Sequence, residues 1–248
     1  MRTPPFEIKK YGPNALLLEW PKRVDLKILM EILSFQDFLK EKHLSGDSWE
    51  FVPIYHSLTL INRAGNVDLE PMVRKLPQWY EAHPKGRTLK TQKWELPVCY
   101  EEPYSLDLEE TASRLGIEPE ALIELHTGRD YPVFGIGFLP GFLYLGGIPD
   151  ALKIPRREHP RLKVPRGSVG LAGEQTGVYP QESPGGWQII GNCPIPLFDA
   201  EKKPPCLISP GDHIRFRAVS KAEYELHKIE GEIGIFNYKK GNSHAKGA

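Results

Sequence analysis

The density of proline and glycine in the middle of the chain limits what it can fold into. Between Pro132 and Gly211 stand 13 of the 24 prolines and 13 of the 23 glycines. Such frequent breakers exclude long helices, because proline lacks a backbone donor and glycine weakens helices. The stretch is also too rich in Val, Ile, Tyr and Trp to be disordered. It therefore predicts short strands joined by tight turns and closed into a barrel or sandwich.

One segment of this region is unusually apolar. Residues 134–149 read FGIGFLPGFLYLGGIP, in which seven of the sixteen residues are glycine or proline. We expect a strand that ends near Phe138 and continues as a rigid apolar loop, since a stiff segment loses little entropy on binding. Core packing alone is the alternative. The residues expected to wall a pocket or contact a partner are Phe138, Pro140, Phe142 and Tyr144.

The first ninety residues alternate between strand and helix patterns. A strand is predicted over 14–20, and a helix follows after Asp25 as its N-cap. The segments WEFVPI and SLTLIN predict two more strands, and a second helix begins near Asp68. A strand at 93–100 either completes this domain or opens the next one.

The predicted fold class is α+β. The β-α-β-β-α-β order indicates a ferredoxin-like α/β sandwich over residues 1–92. The proline-rich region then belongs to a second domain over 93–240, and residues 241–248 are expected to form a flexible tail.

Two short helices are predicted where the second domain begins. Asp107 and Glu110 have the spacing of a capping box, and Pro119 suits the first turn of the next helix, which ends near His126. The pair resembles a helix-turn-helix, but its second helix carries three glutamates and no lysine or arginine. Contacts with nucleic-acid phosphates are therefore not expected.

The charge balance excludes several other classes of protein. Lys and Arg together number 32, as do Asp and Glu, so there is no net attraction to nucleic acid or to an anionic membrane. No apolar run reaches the roughly 18 residues that span a bilayer. The N-terminus lacks the apolar segment of a signal peptide. The three cysteines are too few and too scattered for a disulfide framework or a metal site, so a cytoplasmic protein without a metal is expected.

No complete catalytic signature occurs in the chain. The segment RGSVG carries Arg166 where a nucleophile elbow needs glycine. The chain has no Walker phosphate loop, no H-E-x-x-H and no C-x-x-C.

A proline-stiffened, basic run is the best candidate for a binding site. It contains Arg156, Arg157, Arg161, Lys163 and Arg166. The planar guanidinium of arginine suits a carboxylate or phosphate held at two points. Neutral hydrogen-bonding groups and an aromatic face follow at Gln175, Thr176, Tyr179, Ser183 and Trp187. The alternative interpretation is a solvated basic rim with glycine turns.

These segments together resemble a known family. GFLPGFLYLGGIP, IPRREHPRLKVPRGSVGLAGEQTGVYP, SPGGWQIIG and SPGD, in this order and spacing, are similar to the KipI family. That family is also described as allophanate hydrolase subunit 1, or as the B subunit of bacterial 5-oxoprolinase. The resemblance extends to PVCYE and DLEETASRLGI, whereas the N-terminal half matches in layout more than in sequence.

The resemblance implies a fold, partners and a reaction. It implies an N-terminal α/β domain followed by a cyclophilin-like β-barrel. It also implies that the chain works with two partners, the larger C component and the A component of the same enzyme. Together they would open 5-oxoproline, a small cyclic amide, to glutamate with ATP hydrolysis. No P-loop for ATP occurs in this chain, so ATP would be used by the complex.

Two other functions stay open from the resemblance. One is carboxyl transfer in a biotin-dependent urea or amide carboxylase. The only methionines are Met1, Met30 and Met72, so no Met-Lys-Met biotin site exists and any biotin would arrive on another protein. The other is non-catalytic inhibition of a sporulation histidine kinase.

The resemblance also carries site residues onto this sequence. Arg156 or Arg161 would hold the carboxylate of 5-oxoproline, and His126 is a candidate for proton transfer, with closure of its helix as the alternative. The substrate-binding candidates are Arg156, Arg161, Ser168, Gln175, Tyr179 and Trp187. One departure stands out, because Asn192 and Cys193 replace the usual Arg-Thr pair. An anion contact would be missing there, and Arg166 would be the residue to replace it.

Overall fold

The chain divides into two units in the computed structural model, which describes residues 4–65, 67–86, 88–238 and 240–246. Of the described residues, those up to Thr91 and residues 244–246 form one unit, and those of Gln92–Ser243 form the other. The sequence predicts the boundary between the two domains one residue later, between residues 92 and 93. No helix in these ranges is both long enough and apolar enough to cross a bilayer.

The first unit contains a four-stranded antiparallel sheet and two helices. Its elements are β1 (Glu7–Lys10), β2 (Ala15–Glu19), α1 (Leu26–Lys42), β3 (Trp49–Ile54), β4 (Ser57–Asn62) and α2 (Glu70–Ala82). The strand order is β1-β2-β4-β3. Asp25 caps α1 as predicted, because its carboxylate accepts a hydrogen bond from the backbone N–H of Lys27 at 2.9 Å. The apolar side of α1 is buried in the core of this unit.

The ferredoxin-like prediction for residues 1–92 is not confirmed. The strand expected at 93–100 lies in β5 (Thr88–Val98), which pairs in parallel with β13 (His213–Ala218) in the other sheet. The edge of the first sheet is taken by β1, which pairs with β2. The alternation of Trp94, Leu96 and Val98 predicts a half-buried strand but does not reveal its neighbour, since either sheet could bury that face.

The second unit is organised around a curled half-barrel sheet. Its remaining elements are α3 (Leu108–Leu115), α4 (Pro119–Thr127), β6 (Asp130–Ile136), β7 (Leu143–Gly146), a 3-10 turn (Asp150–Leu152), β8 (Arg161–Val164), β9 (Ser168–Ala172), β10 (Gln175–Val178), β11 (Ser183–Gly185), β12 (Gln188–Asn192) and α5 (Lys221–Glu232). The last strand, β14 (Lys240–Lys246), begins in this unit, and its residues from His244 onward are assigned to the first. Eight strands follow the order β12-β9-β10-β7-β6-β13-β5-β14, and β8 and β11 form a separate ribbon. The predicted short strands between Pro132 and Gly211 are confirmed, since β6 to β12 have three to seven residues each.

Three local features of the structure were not predicted from the sequence. Residues 240–246 form β14 where a flexible tail was expected over 241–248, and residues 247 and 248 lie outside the described ranges. The helix α5 was not predicted, although Ser220 and Glu223 form a capping box at its start. The capping box expected at Asp107 and Glu110 is absent, because the Asp107 side chain makes no cap hydrogen bond.

The two faces of the half-barrel sheet bury different side chains. On β9 and β10, Val169, Leu171 and Val178 belong to the large core of the unit. Gly170 and Gly177 alternate with them and so face the other side. These two glycines are paired in register across the two strands.

The opposite face holds a smaller cluster that depends on these glycines. It consists of Phe142, Val164, Ala172, Tyr179, Trp187 and Ile189. A Cβ at Gly170 would lie 3.0 Å from the Trp187 Cβ, and one at Gly177 would lie 3.0 Å from the Trp187 ring. Glycine at both positions therefore leaves the volume that the tryptophan fills.

We predict that Gly177→Ala destabilises the chain by about 1 to 3 kcal/mol. The added methyl group would lie 2.6 Å from the Leu143 carbonyl oxygen, which is part of the sheet backbone and has little freedom to shift. Urea unfolding would measure the effect. Gly186→Ala is the matched control, since its nearest neighbour would be 3.6 Å away. Equal stability of the two variants would contradict the prediction.

Candidate functional site

The aromatic cluster is packed edge to face. The Phe142 ring lies 5.2 Å from Tyr179 and 5.4 Å from Trp187, both at 90°. The Tyr144 ring is 4.9 Å from Phe142. Phe142, Tyr179 and Trp187 are buried, whereas Tyr144 is half-buried. We call these four side chains the aromatic wall.

The loop that carries part of the wall also presents an exposed phenyl ring. Phe138 is 63% exposed and has a positive φ of 66°, a region that side chains other than glycine seldom occupy. Its ring contacts Phe142 edge-on at 5.6 Å. Pro140 is exposed beside it. Phe142 therefore packs inward, whereas Phe138 and Pro140 remain on the surface.

Arg156 is an unpaired cation beside the aromatic wall. Its side chain is exposed and has no ion-pair partner among the residues that the structure describes. Burial raises the pKa of Tyr179 to about 12, and the backbone N–H of Trp187 and the charge of Arg156 oppose that rise. Burial likewise raises the pKa of Tyr144, again opposed by Arg156. The guanidinium charge thus acts on both phenols.

The guanidinium groups of Arg157 and Arg161 are ion-paired with the buried carboxylate of Asp107. Asp107 is only 2% exposed. It accepts hydrogen bonds from Arg157 Nη1 at 2.8 Å and from both terminal nitrogens of Arg161 at 2.8 and 2.5 Å. The backbone N–H of Ile189 donates a fourth at 2.7 Å. Arg161, predicted to bind substrate, therefore has its guanidinium committed to Asp107.

His126 lies in the core on the other side of the sheet. It is fully buried, with Nδ1 2.7 Å from the Tyr100 hydroxyl and Nε2 2.9 Å from the Thr176 hydroxyl. Thr176 and Gly177 are consecutive on β10, so they belong to opposite faces of the sheet. The sheet consequently separates His126 from the aromatic wall. Its position supports neither proton transfer at that wall nor closure of α4, and it links α4 to β10 and to the segment after β5 instead.

Ser168 and Gln175, which were also predicted to bind substrate, differ in solvent exposure. Ser168 is 1% exposed within β9 and cannot reach a ligand at the surface. Gln175 is half-buried at the first position of β10. Of the predicted substrate-binding set, Arg156, Tyr179 and Trp187 come together, whereas Arg161 stands apart through its ion pair.

Asn192 and Cys193, which replace the family's usual Arg-Thr pair, are also buried. Asn192 donates to the Arg166 carbonyl oxygen at 2.9 Å and accepts from the Tyr224 hydroxyl at 2.9 Å. Burial raises the pKa of the Cys193 thiol to about 12. The expected exchange of an anion contact between this pair and Arg166 is therefore not supported, since Asn192 fixes the turn before β9 to α5.

Sequence reasoning missed Asp107 as part of the site. Its position before α3 and three residues ahead of Glu110 is typical of a helix cap, and that signal concealed its contacts with residues some 50 positions away. In the described ranges, no group of three or more His, Cys, Asp or Glu side chains could hold a metal ion.

Comparison with known proteins places the chain in a family. The profile of the family described as "Carboxyltransferase domain, subdomain C and D" matches residues 6–208, so the chain belongs to this family. It is 32% identical to the 5-oxoprolinase B subunit of Bacillus subtilis over 242 residues, which cover 91% of this chain and 98% of that protein.

Two solved structures share the fold and are longer. The protein TTHA0988 matches with a TM-score of 0.71 and 33% identity over 83% of this chain, which spans 40% of that one. Urea carboxylase of Kluyveromyces lactis matches with a TM-score of 0.79 over 97% of this chain and 24% of that one. Identity to the latter is 19%, so it shows the fold alone.

We predict that His126 makes the fold sensitive to acid. Burial lowers the pKa of His126 to about 3, from a usual value near 6.5. Between these values the unfolded chain binds a proton at His126 that the folded chain does not. His126 therefore leaves the free energy of unfolding unchanged above pH 6.5. As the pH falls below 6.5, protonation of His126 in the unfolded chain lowers the free energy of unfolding by about 1.4 kcal/mol per pH unit.

Urea unfolding between pH 7.5 and pH 5 measures this slope. His126→Gln should show a shallower slope than the wild type, whereas His159→Gln, at a histidine outside the core, should keep the wild-type slope. Identical slopes for all three proteins would refute the assignment.

Proposed function

We propose that this chain is the B component of an ATP-dependent 5-oxoprolinase, which opens 5-oxo-L-proline to L-glutamate together with the A and C components. The observation that carries the proposal is the 32% identity to the 5-oxoprolinase B subunit of Bacillus subtilis over 98% of that protein. Water adds to the lactam carbonyl carbon, the C–N bond breaks, the nitrogen gains a proton, and ATP is hydrolysed by the complex.

The aromatic wall and Arg156 fit a small anionic ring. 5-Oxoproline carries a carboxylate and a planar lactam. The exposed guanidinium of Arg156 would hold the carboxylate, because arginine forms strong charge-assisted hydrogen bonds with such groups. Tyr144, the half-buried member of the aromatic wall, would contact the ring, with the buried Phe142, Tyr179 and Trp187 packed behind it, and Gln175 lies at the start of the strand that carries Gly177.

In this proposal the chain contributes binding groups and is inactive alone. The exposed Phe138 and Pro140 would contact a partner protein of the complex, whereas the half-buried Tyr144 would wall the pocket, supported by the buried Phe142. We propose a cyclophilin-like barrel for the second unit and a cytoplasmic location. The free state of the three cysteines supports the latter. Biotin would take part only if the complex carried out carboxyl transfer, and it would then be attached to another protein.

The proposal predicts that glutamate forms only when all three components and ATP are present. The purified A, B and C components would be mixed with 5-oxoproline, and glutamate would be followed with and without ATP. Omission of this chain should abolish the product, and this chain alone should release none. A stable complex that gives no glutamate but transfers a carboxyl group from biotin to an amide would favour carboxyl transfer.

A second prediction concerns Arg156. Arg156→Gln should raise the KM for 5-oxoproline about tenfold or more, since the loss of a charge-assisted bond to a carboxylate weakens binding on this scale. Lys153→Gln is the control, because Lys153 is a nearby cation already paired with Asp150 and Glu174. Equal KM values for the wild type and Arg156→Gln would exclude Arg156 from the substrate site.

A further inference from the structure

The segment that carries Arg156 is held on both sides of that residue. The Ile154 carbonyl oxygen accepts from the Gly173 N–H at 2.6 Å, and the Pro155 carbonyl oxygen accepts from Gln188 Nε2 at 3.1 Å. The backbone N–H of Arg157 donates to the Gly186 carbonyl oxygen at 2.7 Å. Backbone contacts thus bracket Arg156, whereas its side chain is exposed.

Asp107 adds the strongest fixation of this segment. Its carboxylate binds Arg157 through one nitrogen and Arg161 through two, and it is also held by the Ile189 N–H of β12. Four donors fill the four lone-pair positions of a carboxylate. The buried carboxylate is therefore fully used in tying the segment to the sheet, and none of its capacity remains for a ligand.

The same contacts give Arg157 and Arg161 a different role from Arg156. Without Asp107, Arg161 would have no carboxylate partner among the described residues and Arg157 would keep only the exposed Glu110, so either could pair with an anionic ligand in other positions. With Asp107, Arg156 is left, in the described part of the chain, as the arginine whose guanidinium is unpaired beside the aromatic wall. Both the position of Arg156 and the choice of a single anchoring cation thus depend on one carboxylate.

We infer that Asp107 is a positioning residue that fixes segment 154–161 through Arg157 and Arg161, so that Arg156 alone holds the substrate carboxylate. The inference rests on the proposed function for the identity of the substrate. Asp107 does not touch the substrate itself.

The first test is a double-mutant cycle in the reconstituted three-component complex. Asp107→Asn should raise the KM for 5-oxoproline about tenfold, with kcat changed less than about twofold, because misplacement of an anchoring group weakens binding. Arg156→Ala should raise KM at least as much. The double variant should be no worse than Arg156→Ala within about twofold, since one residue acts through the other.

Glu110→Gln is the matched control for the cycle. Glu110 also approaches Arg157, at 3.4 Å, but it is exposed and leaves Asp107 in place. Its KM should equal that of the wild type. A further rise of KM when Asp107→Asn is added to Arg156→Ala would overturn the inference, because Asp107 would then act by another route.

The second test does not depend on activity. Limited trypsin digestion with mass spectrometry would compare cleavage after Arg157 and Arg161 in the wild type and in Asp107→Asn. Cleavage at these two sites should rise about fivefold or more, as expected when a segment opens locally. Cleavage after Lys228 on α5 should stay unchanged. Unchanged cleavage at all sites would overturn the inference.

A third variant separates this role from general stability. If Asp107→Asn does not fold, Arg161→Gln removes one partner and keeps the bond from Arg157 to Asp107. Cleavage after Arg157 should rise, and Arg161→Gln should not raise KM in the Arg156→Ala background. A rise there would show that Arg161 contacts the substrate and would refute the inference. If the wild-type complex releases no glutamate, the proposed function fails, and the digestion still decides whether Asp107 fixes the segment.

Discussion

The alternation of side chains across β9 and β10 is the constraint on which the second unit depends. It sends Val169, Leu171 and Val178 into the large core and leaves Gly170 and Gly177 on the opposite face. The missing side chains make room for an indole ring, and interiors packed as tightly as crystals do not tolerate an empty or doubly filled volume there. The glycines that break helices in this region are therefore also the positions that admit an aromatic wall.

The buried Asp107 carboxylate is the second determinant. Removing a charge from water costs several kcal/mol, and this cost is offset only when geometry and hydrogen bonding are complete. Two guanidinium groups and a backbone N–H provide that compensation here. The run of basic residues that looks uniform in the sequence is thereby divided into Arg157 and Arg161, which are paired with Asp107, and Arg156 and Arg166, which are exposed. Charge density in a sequence does not distinguish these roles, because the partner is distant in the chain.

Local patterns predicted much of the fold and less of the site. The α1 helix with its Asp25 cap, the strands β2 to β4 and the short strands of the proline-rich region all follow from periodicity and breakers. The sheet to which β5 belongs could not be predicted, since alternation does not identify a neighbouring strand. His126 was assigned to proton transfer or to a helix end and Asp107 to a helix cap, because their partners in the structure, such as Thr176 and Arg161, are 50 and 54 residues away.

These features also bear on which chemistry the chain can supply. The charge of Arg156 acts on Tyr144 and Tyr179, and burial raises the pKa of both, that of Tyr179 to about 12. Phenols of this kind stay protonated near neutral pH, so they can donate hydrogen bonds but cannot act as bases. His126 is held neutral on the far side of the sheet. Under the proposed function, Tyr144 and Tyr179 would therefore act only as hydrogen-bond donors, and His126, on the far side of the sheet, would not be the base that acts at Arg156.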